Sequence, residues 1–436
     1  MVGLTYSIPD VVLGFGILAV LYALLTLEVV HRTVAALFTA ALVVVLDIGL
    51  GFVSYSDLIN EIDMNTILLL MSMMMFVAIL SKTGIFSYTS SKLLHRFHHR
   101  PLTLVAVLSG VTAVISAFID NVTTVLLITP IILEITRKLR IDPKPILLSV
   151  VFASNIGGTA TLIGDPPNIL IGSRAGLSFG AFIANLTPAA VLAFTAFLAV
   201  TWASLRGWVR RYGGAAPAFE GVTHPPVNRP LLLKALASMA VVLTLFGFED
   251  VLKYPPAIPP LVGIGILLML VRRGVKLEDV VSGVDWPTLV FFMAMFIVIK
   301  GVEALGVMDF IASGIMAVAK DYVSLIIVIT WVSAFVSAFV DNIPFVMSMI
   351  PVVSKISVAA GVTSTPLYWA LSLGGCLGGN GTLVGASANV VVAGIAERHG
   401  HHITFNYFLK RGMPVMVATV LTSTAYLILR YCILHI

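Results

Sequence analysis

Two aspartate–asparagine pairs stand inside apolar segments of this chain. Residues 116–121 read SAFIDN, and residues 337–342 read SAFVDN. A carboxylate at the centre of a membrane costs roughly 2.5–3.5 kcal/mol on insertion scales, so it is typical of ion, proton and substrate pathways. Such a group can exchange a proton for an ion when its surroundings change. Asp120 and Asp341 can equally cap the helices that follow them, and the two roles are compatible.

A second repeated motif follows each pair at the same offset. Residues 157–168 (GGTATLIGDPPN) align without a gap on residues 378–389 (GGNGTLVGASAN). Glycine and proline interrupt helices, and the free ends of two half-helices can bind an anion or a cation. Asp165 has no acidic counterpart, because Ala386 stands at the matching position. It is therefore either a further ion or proton site or a helix cap beside Pro166.

Amide and hydroxyl side chains surround both motifs and are candidates for orienting a substrate. The alternative is that they satisfy backbone groups that glycine and proline leave free. The predicted coupling residues are Asp120, Asp341 and Asp165. The predicted substrate-binding residues are Asn121, Asn342, Asn155, Thr159, Thr161, Asn168, Asn380, Thr382, Ser387 and Asn389.

The composition is that of a membrane protein. Hydrophobic residues make up 59% of the chain and charged residues 11%, and the mean hydropathy is +1.05. Soluble domains carry roughly 25% charged residues. Apolar runs near 20 residues predict membrane-spanning helices, the first of which (residues 11–27) we interpret as a retained helix rather than a signal peptide. Membrane lipid is thus an expected partner, and nucleic acid is not.

The sequence offers no pattern for an enzyme. It contains no nucleophile–base pair, no metal-ligand spacing and no phosphate-binding loop, so we expect neither a catalytic residue nor a cofactor nor a bound metal. The two cysteines, Cys376 and Cys432, form neither a disulfide framework nor a zinc motif. ATP-driven transport would need a partner ATPase, which nothing in the sequence supports.

The basic residues orient the chain. With the N-terminus outside, most of the 26 lysines and arginines fall in cytoplasmic loops, as the positive-inside rule requires. The first aspartate–asparagine motif then has cytoplasmic flanks, and the second has external flanks. Two near-identical units of opposite orientation predict inverted repeats. In a prokaryote this would be a protein of the plasma (inner) membrane.

We therefore predict an all-α polytopic membrane protein with two inverted-topology repeats. Each repeat contains a re-entrant helical hairpin and a discontinuous helix, and a cytoplasmic linker joins the repeats. The expected boundaries are 11–205 and 231–432 for the repeats, 206–230 for the linker, about 102–136 and 323–352 for the hairpins, and about 145–172 and 366–396 for the broken helices.

Three charged residues lie outside these motifs. Asp47 stands near the outer end of the second apolar segment, where we expect it to snorkel to the interface. Lys300 and Glu303 are spaced for an ordinary i,i+3 pair at a helix end. We assign neither feature to the site.

At the repeated motifs the sequence resembles the ArsB/NhaD/P-protein permeases of the ion transporter superfamily, and most closely the P-protein and plant silicon-efflux branch. FIDN with NIGGTATLIGDPPN, and FVDNIPF with GGNGTLVGASANVV, carry a similarity that covers nearly the whole chain. The resemblance implies a scaffold domain and a transport domain in each protomer, hairpins that open to opposite sides, and elevator-like alternating access. It also implies a homodimer.

The hairpin tips depart from two related groups. Related dicarboxylate carriers have Ser-Asn-Thr there, whereas this chain has Asp120-Asn121-Val122 and Asp341-Asn342-Ile343. Two acids would repel a dicarboxylate. Bacterial arsenite permeases have an amide at the second tip, where this chain has Asp341.

The expected function is ion-coupled secondary active transport, with H⁺ or Na⁺ as the coupling ion. The first hypothesis is proton-coupled efflux of a small inorganic solute, arsenite or a silicic-acid-like metalloid hydroxide, because a neutral hydroxide needs donors and acceptors rather than a counter-charge. The alternative is a sodium/proton antiporter, since carboxylate, amide and backbone oxygens also bind hard cations. A dicarboxylate or anion carrier and a passive channel are the remaining alternatives.

Overall fold

A computed structural model describes residues 7–27, 30–97, 100–139, 141–212, 226–272 and 274–434, and all regular secondary structure in these ranges is helical. The central part of the predicted linker, residues 213–225, lies outside the described residues.

The helices follow one another in four groups of five. The first group is α1 (Ile8–Thr26), α2 (Arg32–Leu50), α3 (Tyr55–Asn60), α4 (Met64–Ser81) and α5 (Ile85–Phe97). The second is α6 (Pro101–Ser116), α7 (Asn121–Leu139), α8 (Lys144–Gly158), α9 (Pro166–Ala175) and α10 (Phe179–Tyr212). The third is α11 (Arg229–Leu252), α12 (Ile258–Val271), α13 (Leu277–Val281), α14 (Trp286–Ala304) and α15 (Val307–Val318). The fourth is α16 (Tyr322–Phe339), α17 (Asn342–Ala360), α18 (Thr365–Gly378), α19 (Ser387–Arg398) and α20 (Phe405–Leu427), which a π-helical turn extends (Ile428–Ile433).

The described helices are those of an integral membrane protein. Nine of its helical segments are long and apolar enough to cross a membrane. Local sequence sets their ends: Asp285 caps α14 by accepting from the Thr288 amide at 3.2 Å, and Gly361 ends α17 in the left-handed conformation (φ 65°) that glycine adopts at low cost.

The halves of the chain repeat one arrangement. In the first half α6 and α7 form a hairpin, α6 packs along α8, and α8 and α9 are the two parts of a broken helix. In the second half α16 and α17 form the hairpin, α16 packs along α18, and α18 and α19 are the two parts of the broken helix. The prediction of an all-α polytopic fold with two inverted repeats, each with a hairpin and a discontinuous helix, is confirmed.

The helices pack as two bodies. In the scaffold body, which we define as α1–α4 with α11–α14, α2 packs on α14 and α4 packs on α12. In the hairpin body, defined as α6–α10 with α16–α20, the repeats interlock, because α7 packs on α19 and α9 packs on α17. The helices α5 and α15 lie between the bodies in sequence and contact α7 and α17 respectively.

Glycine allows each hairpin to lie directly on its broken helix. A Cβ at Gly157 would come within 2.1 Å of the Ala113 carbonyl oxygen, and a Cβ at Gly378 within 2.5 Å of the Ala334 carbonyl oxygen. No L side chain fits such contacts without displacing backbone. The two repeats therefore share a backbone-to-backbone contact at the same motif position.

Asp47 does not snorkel, and that expectation is wrong. Its residue is 0% exposed, and its two carboxylate oxygens have no hydrogen-bond partner among the described residues. The carboxylate faces Gly301 of α14, where a Cβ would lie 2.5 Å from the Asp47 Oδ2 atom. The reason is that α2 turns this face toward α14 instead of toward the membrane surface.

Candidate functional site

Four helix N-termini meet at one cavity of about 440 Å³. They are the first turns of α7, α9, α17 and α19, so each repeat supplies one hairpin helix and one half-helix. A helix N-terminus carries about half a positive charge, which favours negatively charged groups beside it. Of the predicted site residues, the cavity is lined by Asp120, Asn121, Asp165, Asn342 and Ser387.

Asp120 and Asp341 both cap a helix and both line a cavity. The Asp120 Oδ1 atom accepts from the Thr123 amide at 2.9 Å, and the Asp341 Oδ1 atom accepts from the Ile343 amide at 3.1 Å. Asp120 lines the cavity just described, and Asp341 lines an adjacent cavity of about 680 Å³. Capping and exposure to a polar cavity therefore coexist at both hairpin tips.

Asp165 joins the two repeats. It is 1% exposed; its Oδ1 atom accepts from the Asn121 amide at 3.3 Å, and its Oδ2 atom accepts from the Asn342 amide at 3.5 Å. It occupies the N-cap position of α9, but its side chain makes no capping hydrogen bond. Pro166 and Pro167 have no N–H, and the Asn168 backbone amide donates to the Asp165 backbone carbonyl at 2.9 Å instead. One carboxylate thus accepts from both hairpin tips.

A buried amide network continues from Asp165 into the second repeat. Asn121 also donates to the Asn155 Oδ1 atom at 3.2 Å. Asn155 in turn donates to the Oδ1 atoms of Asn380 at 3.0 Å and Asn389 at 3.2 Å. The Nδ2 atom of Asn380 is fully buried and has no partner among the described residues. The two helix breaks are therefore linked through side-chain amides.

Other predicted substrate-binding residues bond to backbone in the first break. The Asn168 amide donates to the carbonyl oxygens of Thr159 at 3.1 Å and Thr161 at 2.8 Å. The Thr159 hydroxyl donates to its own helix at Asn155, 2.8 Å away, and the Thr161 hydroxyl donates to the Ala117 carbonyl of the hairpin. These hydrogen bonds fix the backbone of the helix break and attach it to the hairpin.

The second break repeats those bonds. Asn389 donates to the carbonyl oxygens of Gly379 at 2.7 Å and Thr382 at 2.9 Å. The Thr382 hydroxyl donates to the Ala338 carbonyl of the second hairpin. Of the predicted polar residues, Asn168, Asn389 and the three threonines lie outside the cavity lining, whereas Ser387 lies in it.

Arg32 belongs to the site, and our sequence analysis missed it. Its guanidinium donates to the Ser387 hydroxyl at 2.5 Å and to the Thr288 hydroxyl at 2.7 Å. It lies 4.0 Å from the Asp341 carboxylate and 3.9 Å from the Asp285 carboxylate. From sequence it is one more basic residue before an apolar segment; the only local signal is that α2 begins with it.

The mouth of the cavity is marked by an exposed ion pair. The Lys82 ammonium lies 2.8 Å from the Asp279 carboxylate, and both residues belong to the scaffold body. Lys82 holds the pKa of Asp279 below its ordinary value, first through the hydrogen bond and then through its charge.

A cluster of six charged residues lies at the opposite end of α4. That helix has 18 residues, so its ends are about 27 Å apart. Arg174 pairs with Glu61, while Lys355 lies 3.0 Å from Asp309, and both pairs join the hairpin body to elements outside it. The expected Lys300–Glu303 pair is confirmed at 4.0 Å. We call the following residues the distal cluster: Glu61, Arg174, Lys300, Glu303, Asp309 and Lys355.

An inverted-repeat membrane fold with a polar site where four helix ends meet is typical of membrane transporters. Residues 22–374 match the CitMHS family, described as citrate transporter, and this chain belongs to that family. Because the family and the chain's relatives are transporters, the expectation that this protein is not an enzyme is confirmed.

The similar proteins include both bacterial and animal chains. An uncharacterized transporter of Mycobacterium tuberculosis is 38% identical over 430 residues, which are 97% of this chain and 99% of that protein. The P protein of Homo sapiens is 32% identical over 510 residues, and the match spans 97% of this chain but 60% of that protein. The resemblance to P proteins is thus supported, and the ArsB/NhaD assignment stays a prediction.

Among solved structures, the YdaH transporter of Alcanivorax borkumensis has a similar fold. The TM-score is 0.63 over 96% of this chain and 97% of that chain, at 13% sequence identity. At that identity the similarity concerns the fold alone.

Proposed function

We propose that this protein is a proton-coupled secondary transporter that exports a small inorganic solute. Asp120, Asp165 and Asp341 accept and release the coupling ion, and the amides of Asn121 and Asn342 orient the solute. The hairpin body carries the site across the membrane against the scaffold body, as in an elevator. We place the N-terminus outside, the protein in the plasma membrane of a prokaryotic cell, and two protomers in the functional unit.

The observation that carries this proposal is the position of Asp165. This acid is almost fully buried, faces the cavity, and accepts from one hairpin-tip amide of each repeat. The Asn121 and Asn342 amides bond to different oxygens of this carboxylate, and a proton on Asp165 would turn one oxygen into a donor and remove the negative charge that strengthens both bonds. A single proton would thus weaken the attachment of both hairpin tips, which is the kind of link that coupling between ion and solute requires.

The packing supports a moving hairpin body. Inside that body the hairpins are attached to the broken helices through Gly157, Gly378 and the threonine bonds. Across to the scaffold body, at the distal cluster, the contacts include two partly exposed ion pairs, Arg174–Glu61 and Lys355–Glu303. Such pairs exchange partners at low cost. The interface between the bodies is therefore the easier place for motion.

The side chains at the cavity favour a neutral hydroxide over a dicarboxylate. Five carboxylates and two cations line it or the adjacent cavity, with amides and a serine hydroxyl between them: Asp120, Asp165, Asp279, Asp285, Asp341, Arg32 and Lys82. A neutral metalloid hydroxide can donate to the carboxylates and accept from the amides. Arsenite and silicic acid are the first solutes to test.

A sodium/proton antiporter is the second candidate. Asp120, Asp165 and Asn121 line one cavity. Carboxylate and amide oxygens are the ligands that hard cations prefer. A solute-free exchange of Na⁺ for H⁺ would favour this candidate.

The test is transport in proteoliposomes with an imposed pH gradient. Wild type, Asp120→Asn and Asp341→Asn would be compared for movement of arsenite, silicic acid and sodium, with protein-free vesicles as the blank. We expect one solute to move against its gradient in wild type and both variants to lose that coupling. Flux that ignores the pH gradient, or coupling that survives in both variants, would refute the proposal.

A further inference from the structure

A continuous line of hydrogen bonds crosses between the two bodies at Arg32. On one side the guanidinium donates to Thr288, whose hydroxyl donates to Asp285 at 2.5 Å. On the other side it donates to Ser387, whose hydroxyl donates to Asp341 at 2.6 Å. On each side, therefore, the guanidinium donates to one hydroxyl, and that hydroxyl donates to a carboxylate.

The two sides of this line are attached to different bodies. Asp285 caps α14 and Thr288 lies in its first turn, and because α14 packs on α2 both residues are on the same body as Arg32. Asp341 and Ser387 belong to the first turns of α17 and α19 in the hairpin body. A displacement of the hairpin body would break the bond to Ser387 and leave the bond to Thr288 intact.

Among the described residues, Arg32 is the one cation that forms an ion pair with Asp341. The Asp341 carboxylate otherwise accepts from the Ile343 amide and the Ser387 hydroxyl. Neutralising Asp341 would remove the charge that faces the guanidinium, while Asp285 would keep the guanidinium on the scaffold side. The other charged or titratable residues that line the two cavities are His31, Lys82, Asp120, Asp165, Asp279 and Asp285.

We propose that Arg32 is a positioning residue that holds the second half-site against the scaffold body in the empty carrier. A proton or a bound cation at Asp341 competes with the guanidinium and releases the hairpin body. The inference rests on the proposed function and adds how the same site is regulated: the fixed cation of Arg32 imitates the coupling ion. Asp341 is then the acid whose neutralisation permits movement, whereas Asp120 faces the cavity without an ion-pair partner among the described residues.

The experiment measures movement without a substrate. Ile350 of α17 is 7% exposed and lines a cavity of about 370 Å³ beside the distal cluster, so Ile350→Cys would become reactive when the hairpin body leaves that end. The native thiols, Cys376 and Cys432, would be replaced by serine. The rate of reaction with a maleimide in lipid nanodiscs would be normalised to Val358→Cys on the same helix, where the native residue is 82% exposed.

The variants remove one partner of the ion pair at a time. In the otherwise unchanged chain we expect Asp341→Asn to raise the normalised rate, because it removes the charge that faces the guanidinium. Arg32→Gln should raise the rate about three- to tenfold, and adding Asp341→Asn to it should raise the rate no further. Arg32→Lys, which keeps the positive charge, should react at a rate between those of wild type and Arg32→Gln. Lys82→Gln, which removes a cavity cation paired within the scaffold body, should behave as wild type.

A purely structural role for Arg32 predicts a different result. Arg32→Gln would then lower thermal stability but keep the wild-type labelling rate, and that outcome would overturn the inference. An equal rise in Lys82→Gln would also overturn it, because any loss of cavity charge would then suffice. Labelling needs no solute, so a failure to find the transported species leaves this test intact and distinguishes the two proposals.

Discussion

The two half-sites share one backbone and differ in charge. In the first, Asp165 precedes two prolines, and neither Asp120 nor Asp165 has an ion-pair partner among the described residues. In the second, Ala386 replaces the acid, the next helix begins with Ser387, and a guanidinium reaches in from α2. The first half-site is therefore suited to a proton or cation, and the second already contains a cation of its own.

This difference teaches how an inverted repeat becomes specialised. Helix breaks, close glycine contacts and threonine bonds are common to both halves because the backbone path depends on them. The charged groups differ between the two halves because the path of the backbone does not depend on them. Shared features should thus control folding, and unshared features should control coupling.

The largest effect should come from the shared glycines. Gly157→Ala would place a Cβ 2.1 Å from the Ala113 carbonyl oxygen, and Gly378→Ala would place one 2.5 Å from the Ala334 carbonyl oxygen. We expect each to lose about 3 kcal/mol or more, which a membrane protein shows as loss of monodisperse yield. Gly16→Ala is the control, since nothing lies within 4 Å of its added Cβ. Equal yields for all three variants would mean that the hairpins do not lie on their broken helices.

Asp165→Asn should have the next largest effect. An amide offers one acceptor atom where the carboxylate offers two, so either the Asn121 or the Asn342 amide would lose its partner. The expected cost is about 1–3 kcal/mol of thermal stability, together with loss of transport driven by a pH gradient. Asp279→Asn at the cavity mouth is the matched control, because that carboxylate is exposed and bonded within the scaffold body. Undiminished coupling in Asp165→Asn would remove the difference between the half-sites.

A smaller effect is expected at the far ends of the two half-helices. Arg174 ends α9 and pairs with Glu61 of the scaffold body, whereas Arg398 ends α19 and is exposed. Because the Arg174–Glu61 pair is partly exposed, Arg174→Gln should shift the balance between conformations by about 1 kcal/mol or less, an increase of up to about fivefold in labelling of Ile350→Cys. Arg398→Gln should leave labelling unchanged. If the two substitutions have equal effects, the distal cluster does not hold the hairpin body.

The smallest effect concerns the Lys82–Asp279 pair. The pKa of Asp279 is lowered in the folded protein, so its stabilising contribution is complete above the ordinary value of about 3.9 and is lost as the pH falls through the lower folded value. Lys82→Gln should therefore leave the shape of the transport–pH profile unchanged between about pH 5 and pH 8. A change in the shape of the transport–pH profile would mean that part of the ion coupling depends on the scaffold body.

The sequence predicted the architecture because the relevant signals are local and duplicated. Apolar length, glycine and proline breaks and the aspartate at each hairpin tip act within a few residues, and the second copy repeats the first. The two-fold organisation therefore followed from the alignment of residues 157–168 with residues 378–389.

The sequence could not predict contacts that depend on which helix faces meet. Arg32 reaches Ser387 across most of the chain, and nothing near Arg32 in sequence marks that contact. Asp47 is buried because Gly301 of the other half makes room for it. The backbone roles of Asn168 and Asn389 were an open alternative that only the geometry of the breaks could favour.

The attachment of each hairpin to its broken helix gives bilayer thickness a role in the energetics of transport. Because Gly157 and Gly378 bring backbone against backbone, a hairpin cannot slide along its own broken helix. A transport step of the proposed kind would then carry the whole hairpin body, with its lipid-facing side chains, along the membrane normal. Each Å of mismatch with the hydrocarbon layer costs a fraction of a kcal/mol. The transport rate should thus vary with acyl-chain length even where every polar residue is unchanged.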